Sequence, residues 1–339
     1  MSQSERSIIS IANLVTLHFD VQQVDGLRMP EYSGSMLRGA FGTALRRLTC
    51  VTDLPACRDC PLKVHCRFPR IFERPALMPA SVQAVNPYVL HTPPPSTYHS
   101  GDIWHFKMSI MGDAIGDSTL IIRAWQQALA QGLGVGAPFQ RARLLYVRLG
   151  ETLLFDHSDI DNSDKNSGKI KALPVTHSQI DCHPSGTPAS VDQLDLQFLT
   201  PFRHQQKGCI VNQAQVLDTA TFLASLYNRI RLCQRHHSPD IPWHIGYEDY
   251  HAFKADILQL DMTADVRPAN ISRRSSRQQR KIHLHAMDGC IHLSDPNRSG
   301  ALERLLPALR LGELLHIGKS TTLGLGQYKI IAHEPYVQV

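Results

Sequence analysis

The order of the periodic segments is the strongest constraint on what this chain can fold into. The pattern strand, helix, strands, helix, strand is written once before residue 157 and again after residue 192. Residues 12–20, ANLVTLHFD, alternate apolar and polar positions and read as a strand. A helix is predicted from Ser35 to Leu48, with Ser33 or Ser35 as its cap. SVQAVNPYVLHT (81–92) and DIWHFKMSIM (102–111) read as a strand pair joined by the turn PPPSTYHSG. STLIIRAWQQALAQGLG is a helix closed by glycine, and RARLLYVRLG with ETLLFDH completes the half as strands. The order β-α-β-β-α-β is that of a ferredoxin-like unit.

Residues 157–192 are polar and rich in Asp, Ser, Asn, Pro and Gly, and read as a linker holding at most a short strand. The order then repeats. LDLQFLTPF is a strand, TATFLASLYNRIRLCQRH an amphipathic helix, KIHLHAMDGCIHL a strand or two, SGALERLLPALRLG a helix, and a glycine-rich loop leads to a last strand. The expected fold class is α+β. Two tandem ferredoxin-like domains, 1–156 and 193–339, flank the linker, with a cysteine-rich knuckle at 50–66 inserted after the first helix. A chain of 339 residues suits two domains of about 150 residues each.

The loop before the last strand contains Gly318-Lys319-Ser320, which suggests a nucleotide phosphate loop. That motif, G-x-x-x-x-G-K-[ST], must open a helix. Here five residues separate Gly312 from Gly318, one too many, and the downstream Gly324, Gly326 and Tyr328–Ile331 favour a loop feeding a strand. Glycines still let backbone N–H groups approach a phosphate, and Lys319 adds charge. A hairpin turn without ligand is the simpler alternative.

Cys50, Cys57, Cys60 and Cys66 are spaced C-x6-C-x2-C-x5-C. Thiolates on short loops converge on a soft cation, so a structural zinc is expected here. An iron–sulfur cluster, or four reduced thiols without metal, are the alternatives. Arg58, Lys63, Arg67 and Arg70 make the segment basic. A second basic run, RRSSRQQRK, places Arg273, Arg274, Arg277, Gln278, Arg280 and Lys281 together, and TPFRHQQKG adds Arg203, His204 and Lys207. Arginine and glutamine bind phosphates and base edges, although a charged run is more often a solvated face. With Lys319 these groups offer a phosphate-binding face, and the net charge of +5 permits an acidic partner. MSQSERSIIS lacks a basic region followed by a long apolar stretch, and no run of about 18 apolar residues occurs. A cytoplasmic protein without membrane spans is expected, its eight cysteines reduced or metal-bound. There is no H-E-x-x-H, no G-x-S-x-G and no dinucleotide fingerprint.

Taken in order, SMLRGAFGTALRRL, CRDCPLKVHCRFPRIFE, FLTPFRHQQKG, RRSSRQQRK and LLHIGKSTTLGLGQYKI resemble the Cas6 family of RAMP proteins, CRISPR-associated endoribonucleases that process precursor CRISPR RNA. The resemblance spans residues 35–330 and implies two RAMP/RRM-like ferredoxin domains. It implies that the loop from Gly318 to Gly326, with Lys319 and Gly324, holds RNA and not ATP. It further implies cleavage of repeat RNA without a divalent metal. The 2′-hydroxyl attacks the adjacent phosphorus, giving a 2′,3′-cyclic phosphate and a 5′-hydroxyl. Such chemistry needs a base, a cation for the phosphorane and a proton for the leaving oxygen.

Family members often place a histidine in or just after the first helix, but the helix from Ser35 to Leu48 contains none. The nearest are His18 and His65, with Tyr32 and Arg38 close by in sequence. His65, Tyr32 and Arg38 are therefore the catalytic candidates; His65 drops out if it ligates metal. The missing helix histidine also motivates a non-catalytic guide-RNA-binding subunit of a CRISPR effector complex, and a third alternative is a metal-knuckle scaffold contacting other subunits.

Overall fold

A computed structural model describes residues 8–74, 84–134, 138–159, 169–173, 177–181, 191–211, 213–243, 245–275 and 280–332. The chain divides into two compact units, one built mainly from residues 13–176 and the other mainly from 177–273 and 281–339.

The first unit runs β1 (Leu14–Gln23), α1 (Gly34–Thr49), α2 (Arg67–Phe72), β2 (Tyr88–His91), β3 (Ile103–Met111), α3 (Ser118–Gln131), β4 (Ala142–Leu149) and β5 (Thr152–Asp156). Its strands form one antiparallel sheet in the order β2-β3-β1-β4-β5. The first four follow ferredoxin-like order and β5 is an added edge. Alternation in β1 sends Leu17, Phe19 and Val21 into the core. There Phe19 stacks on Phe106 with ring centroids 4.6 Å apart, and Phe41 of α1 stacks on Trp125 of α3 at 5.0 Å. Each buried aromatic contributes about 2–3 kcal/mol by removing apolar area from water.

The second unit repeats the order with β6 (Gln193–Phe198), α4 (Thr219–His237), α5 (Tyr250–Ile257), β7 (Asp261–Ser275), β8 (Arg280–Ser294), α6 (Ala301–Leu315) and β9 (Tyr328–Ala332). Its sheet order is β7-β8-β6-β9. Asp218 caps α4 by accepting from the Thr221 N–H at 2.8 Å. Leu194, Leu196 and Phe198 are buried, and Phe198 stacks on Phe202, which meets Phe222 of α4 edge-on. The chain is thus α+β with tandem ferredoxin-like units.

Three details differ from the sequence-based expectations. The strand expected over 81–92 is confined to Tyr88–His91 among the described residues. KIHLHAMDGCIHL lies within the single 15-residue strand β8, and its hairpin partner is β7, which the sequence did not announce. Pro268 and the charged residues of β7 break its apolar pattern, which an edge strand tolerates. Helix α5 was also not anticipated. Within the expected linker, His177–Asp181 pairs antiparallel with Ile8–Ala12.

Candidate nucleic-acid interface

The glycine-rich loop is built against the segment that follows β6. After α6, His316 turns the chain with φ 57°, and Ile317 donates its N–H to the Gly326 carbonyl at 3.0 Å, closing the loop at its neck. Gly326 donates to Pro201 O at 2.9 Å, and Lys319 N–H donates to Arg203 O at 2.9 Å. The Thr200 hydroxyl donates to Gly324 O at 2.7 Å and accepts from the Gln327 N–H at 3.0 Å. These contacts explain two of the glycines. A Cβ at Gly318 would stand 2.5 Å from Arg203 O, and one at Gly326 only 1.9 Å from Ile317 O, while φ at both is positive, 82° and 76°.

Three cations converge on this loop. The Arg203 Nε donates to His285 O at 3.0 Å and its Nη1 to the Ser320 hydroxyl at 2.9 Å. Arg229, on α4, donates to Leu315 O, an end carbonyl of α6, at 3.3 Å and to Thr321 Oγ1 at 2.9 Å. Lys319 completes the group. Burial, followed by the charges of Arg229 and then Arg203, holds its ammonium below the usual lysine range. Both charges acting on it are positive, so an anion placed here relieves their repulsion. Arg229 was missed in the sequence because it sits in an amphipathic helix among other basic residues. Its one signal was a cation on a partly buried helix position.

His204 is buried, and its two ring nitrogens have no hydrogen-bond partner among the described residues. Burial pushes its imidazole below the usual range, partly offset by Asp218. Lys207 and Gly208 form the exposed turn between Gln205–Gln206 and Cys209–Ile210, both with positive φ. Arg273 and Arg274 end β7, and Arg280 and Lys281 open β8, with side chains outside the described set; Arg277 and Gln278 lie outside the described residues.

In the first unit, Arg38 lies 4.0 Å over the Phe72 ring, donates from Nε to the Tyr88 hydroxyl at 3.0 Å and from Nη2 to Phe72 O at 3.2 Å. Its fork is therefore engaged in joining α1 to α2 and β2. Tyr32 is half-buried in the turn before α1, and His65 is exposed in the cysteine segment. Cys50, Cys57, Cys60 and Cys66 are all free thiols lining one cavity together with Arg46 and Lys63. Thr52 Oγ1 lies 3.9 Å from Cys50 Sγ and 3.6 Å from Cys60 Sγ. No three of these sulfurs lie mutually within 4.8 Å; among the described residues only Asp195, Cys290 and His292 make such a group. A tetrahedral thiolate site needs sulfurs roughly 3.8 Å apart, given Zn–S near 2.3 Å. The donor set suits zinc, and closure would require the loop to draw in.

Residues 196–328 match the family model described as CRISPR-associated endoribonuclease Cas6, and residues 12–167 match a model described as an N-terminal domain. No curated protein sequence matches. Among solved structures, a Cas6 product complex aligns at TM-score 0.50 and 16% identity, covering 95% of this chain and 100% of that one. The Thermus thermophilus Cas6 aligns at TM-score 0.50 and 14% identity, over 94% of this chain and 99% of its own. A partial Cas6-RT-Cas1–Cas2 complex aligns at TM-score 0.51 and 13% identity, over 97% of this chain but 48% of the larger one. At these identities the alignments establish the shared fold.

Proposed function

Because residues 196–328 match the family model described as CRISPR-associated endoribonuclease Cas6, we propose that the chain is a member of that family, that it cleaves CRISPR repeat RNA into guide RNAs, and that it holds the RNA backbone at the glycine-rich loop. The observation that carries this is the convergence of Arg203, Arg229 and Lys319 on a loop whose backbone conformation is fixed by Gly318 and Gly326. Such a site binds a phosphate of the RNA backbone by charge.

The reaction needs no divalent ion. The 2′-oxygen loses its proton and bonds to phosphorus, the P–O5′ bond breaks, and the 5′-oxygen takes up a proton. Tyr32 and His65 are the proposed proton-handling groups. Arg38 is better suited to positioning, since its donors hold Tyr88 and Phe72. Arg203, His204, Lys207, Arg273, Arg274, Arg277, Gln278, Arg280, Lys281, Gly318, Lys319, Gly324 and Gly326 are the proposed RNA contacts, to which Arg229 is added. The four knuckle cysteines are proposed to bind a structural zinc that takes no part in cleavage, within a cytoplasmic protein that also meets other CRISPR subunits. No described helix is long and apolar enough to cross a membrane.

A second reading, RNA binding without cleavage, is favoured by one observation: α1 carries no histidine, and its Arg38 is engaged with Tyr88 and Phe72. Incubating the purified protein with repeat RNA in EDTA, beside RNA with a 2′-deoxy at the cut position, separates the two. Cleavage of the first RNA alone is expected. Binding of both without cleavage supports the second reading, and failure to bind either sinks both.

A further inference from the structure

On the second sheet, the face opposite the buried Leu194, Leu196 and Phe198 carries a side-chain cluster that is not among the proposed RNA contacts. In β6 the buried Leu194, Leu196 and Phe198 point toward the helices, so alternation turns Asp195 and Gln197 to the opposite face. The register with β8 places His292 directly across from Asp195, and Cys290 across from Gln197. Asp195, Cys290 and His292 therefore stand on one face of two adjacent strands. His292 Nδ1 lies 2.7 Å from Asp195 Oδ1, and a carboxylate oxygen, the Cys290 sulfur and an imidazole nitrogen all fall within 4.8 Å of one another.

We propose that Asp195, Cys290 and His292 form a binding site for a zinc-class divalent cation. The donor set is one oxygen, one sulfur and one nitrogen, the combination a borderline-soft ion accepts. With metal–ligand distances of about 2.0–2.3 Å, the donors need separations of roughly 3.3–3.7 Å. Shifts of about 1 Å at the side-chain tips close that gap, because the backbone positions are already held by the strand ladder. The Asp195–His292 contact by itself is an ordinary cross-strand hydrogen bond. The thiol on the neighbouring pair is what turns it into a ligand set. In register around the site, β9 offers Ile331 opposite Asp195 and Lys329 opposite Gln197, and the Asp265 carboxylate on β7 is close enough to act on Cys290. Asp195 is 17% and His292 45% exposed, so an ion has access and a fourth position remains for water. The ion would tie the central strand β6 to β8, independently of any RNA chemistry and of the knuckle thiols.

The test uses full-length protein stripped with chelator and titrated first with Co2+ and then with Zn2+ as probes. Cys290→Ala and His292→Ala are each expected to bind one equivalent fewer per chain than the parent. Circular dichroism of the metal-free forms checks that the variants fold. Should Cys290→Ala unfold, His292→Ala and Asp195→Asn carry the test, since their side chains are polar and partly exposed. Equal stoichiometry and affinity in the parent and all folded variants would overturn the assignment. So would a parent whose entire metal content is abolished by serine at the four knuckle cysteines in a protein that stays folded.

Discussion

The Lys319 N–H donates to the carbonyl of Arg203 across 2.9 Å, and the side chains of these two residues belong to the same cation cluster. The backbone bond holds the two residues side by side, and the Arg203 guanidinium is further held by His285 O and Ser320. Arg229 enters the cluster from α4 and bonds both the end of α6 and Thr321.

Arg229→Ala should lower affinity for repeat RNA by about 10- to 100-fold, as loss of a charge-assisted phosphate contact does, and reduce the salt slope by about 1. Fluorescence anisotropy over a salt series reads both. Unchanged affinity and slope would remove Arg229 from the interface.

Gly326→Ala should destabilise the second unit by about 2–4 kcal/mol, because its Cβ has no room and φ is 76°. Gly150→Ala, with φ 53° but nothing within 4 Å, should cost only about 1 kcal/mol. Urea unfolding midpoints compare them; similar losses would show that crowding at Ile317 O is not what fixes the loop.

Much of this was legible beforehand. Phe19 and Phe41 announced β1 and α1 through spacing, and the glycines of the last loop announced its position. Arg203 and Lys319 were named because each lies in a polar run, and the structure brings them together at the loop. Arg229 was hidden because helical periodicity explains it without function, and β7 because Pro268 and Arg267 erase the alternation on which strand recognition rests. For Arg38 the sequence named a cation near the first helix, and what it could not show is that its donors are directed to Tyr88 and Phe72.

Lys319 makes the interface sensitive to alkaline pH. Its folded pKa is depressed, so below that value the charged ammonium opposes folding, and stability from this group rises as pH climbs through it toward the unfolded value. A bound phosphate favours the charged form. RNA affinity should therefore be full below the depressed pKa and fall as pH passes above it, whereas Lys319→Arg should flatten the profile. A flat parent profile from neutral pH to the ordinary lysine range would exclude Lys319 as a phosphate contact.

Acid acts elsewhere. Arg304 grips Asp256 with Nε to Oδ2 at 2.8 Å and Nη2 to Oδ1 at 2.7 Å, and the Tyr247 hydroxyl donates to Oδ2 at 3.0 Å. The hydrogen bonds from Arg304 hold the Asp256 carboxyl below its usual value, against the effect of burial. The stability it contributes is present above the unfolded carboxylate pKa and is lost as pH falls through the folded one. Arg304 is half exposed, so Arg304→Ala should cost only about 1 kcal/mol near neutrality. The difference between variant and parent should shrink in acid, measured as Tm against pH. A constant difference down to the acid transition would exclude the pair as its source.

His316 and Ser320 hold positive φ, 57° and 67°, without being glycines, which costs about 1 kcal/mol or more at each. The Arg203 guanidinium on the Ser320 hydroxyl and the carbonyl contacts of the loop neck hold them there. The entropy of arranging this cradle is consequently lost during folding, before any nucleotide arrives. A phosphate bound as proposed would meet a loop that is already ordered, so loop ordering would add little to the free energy of association.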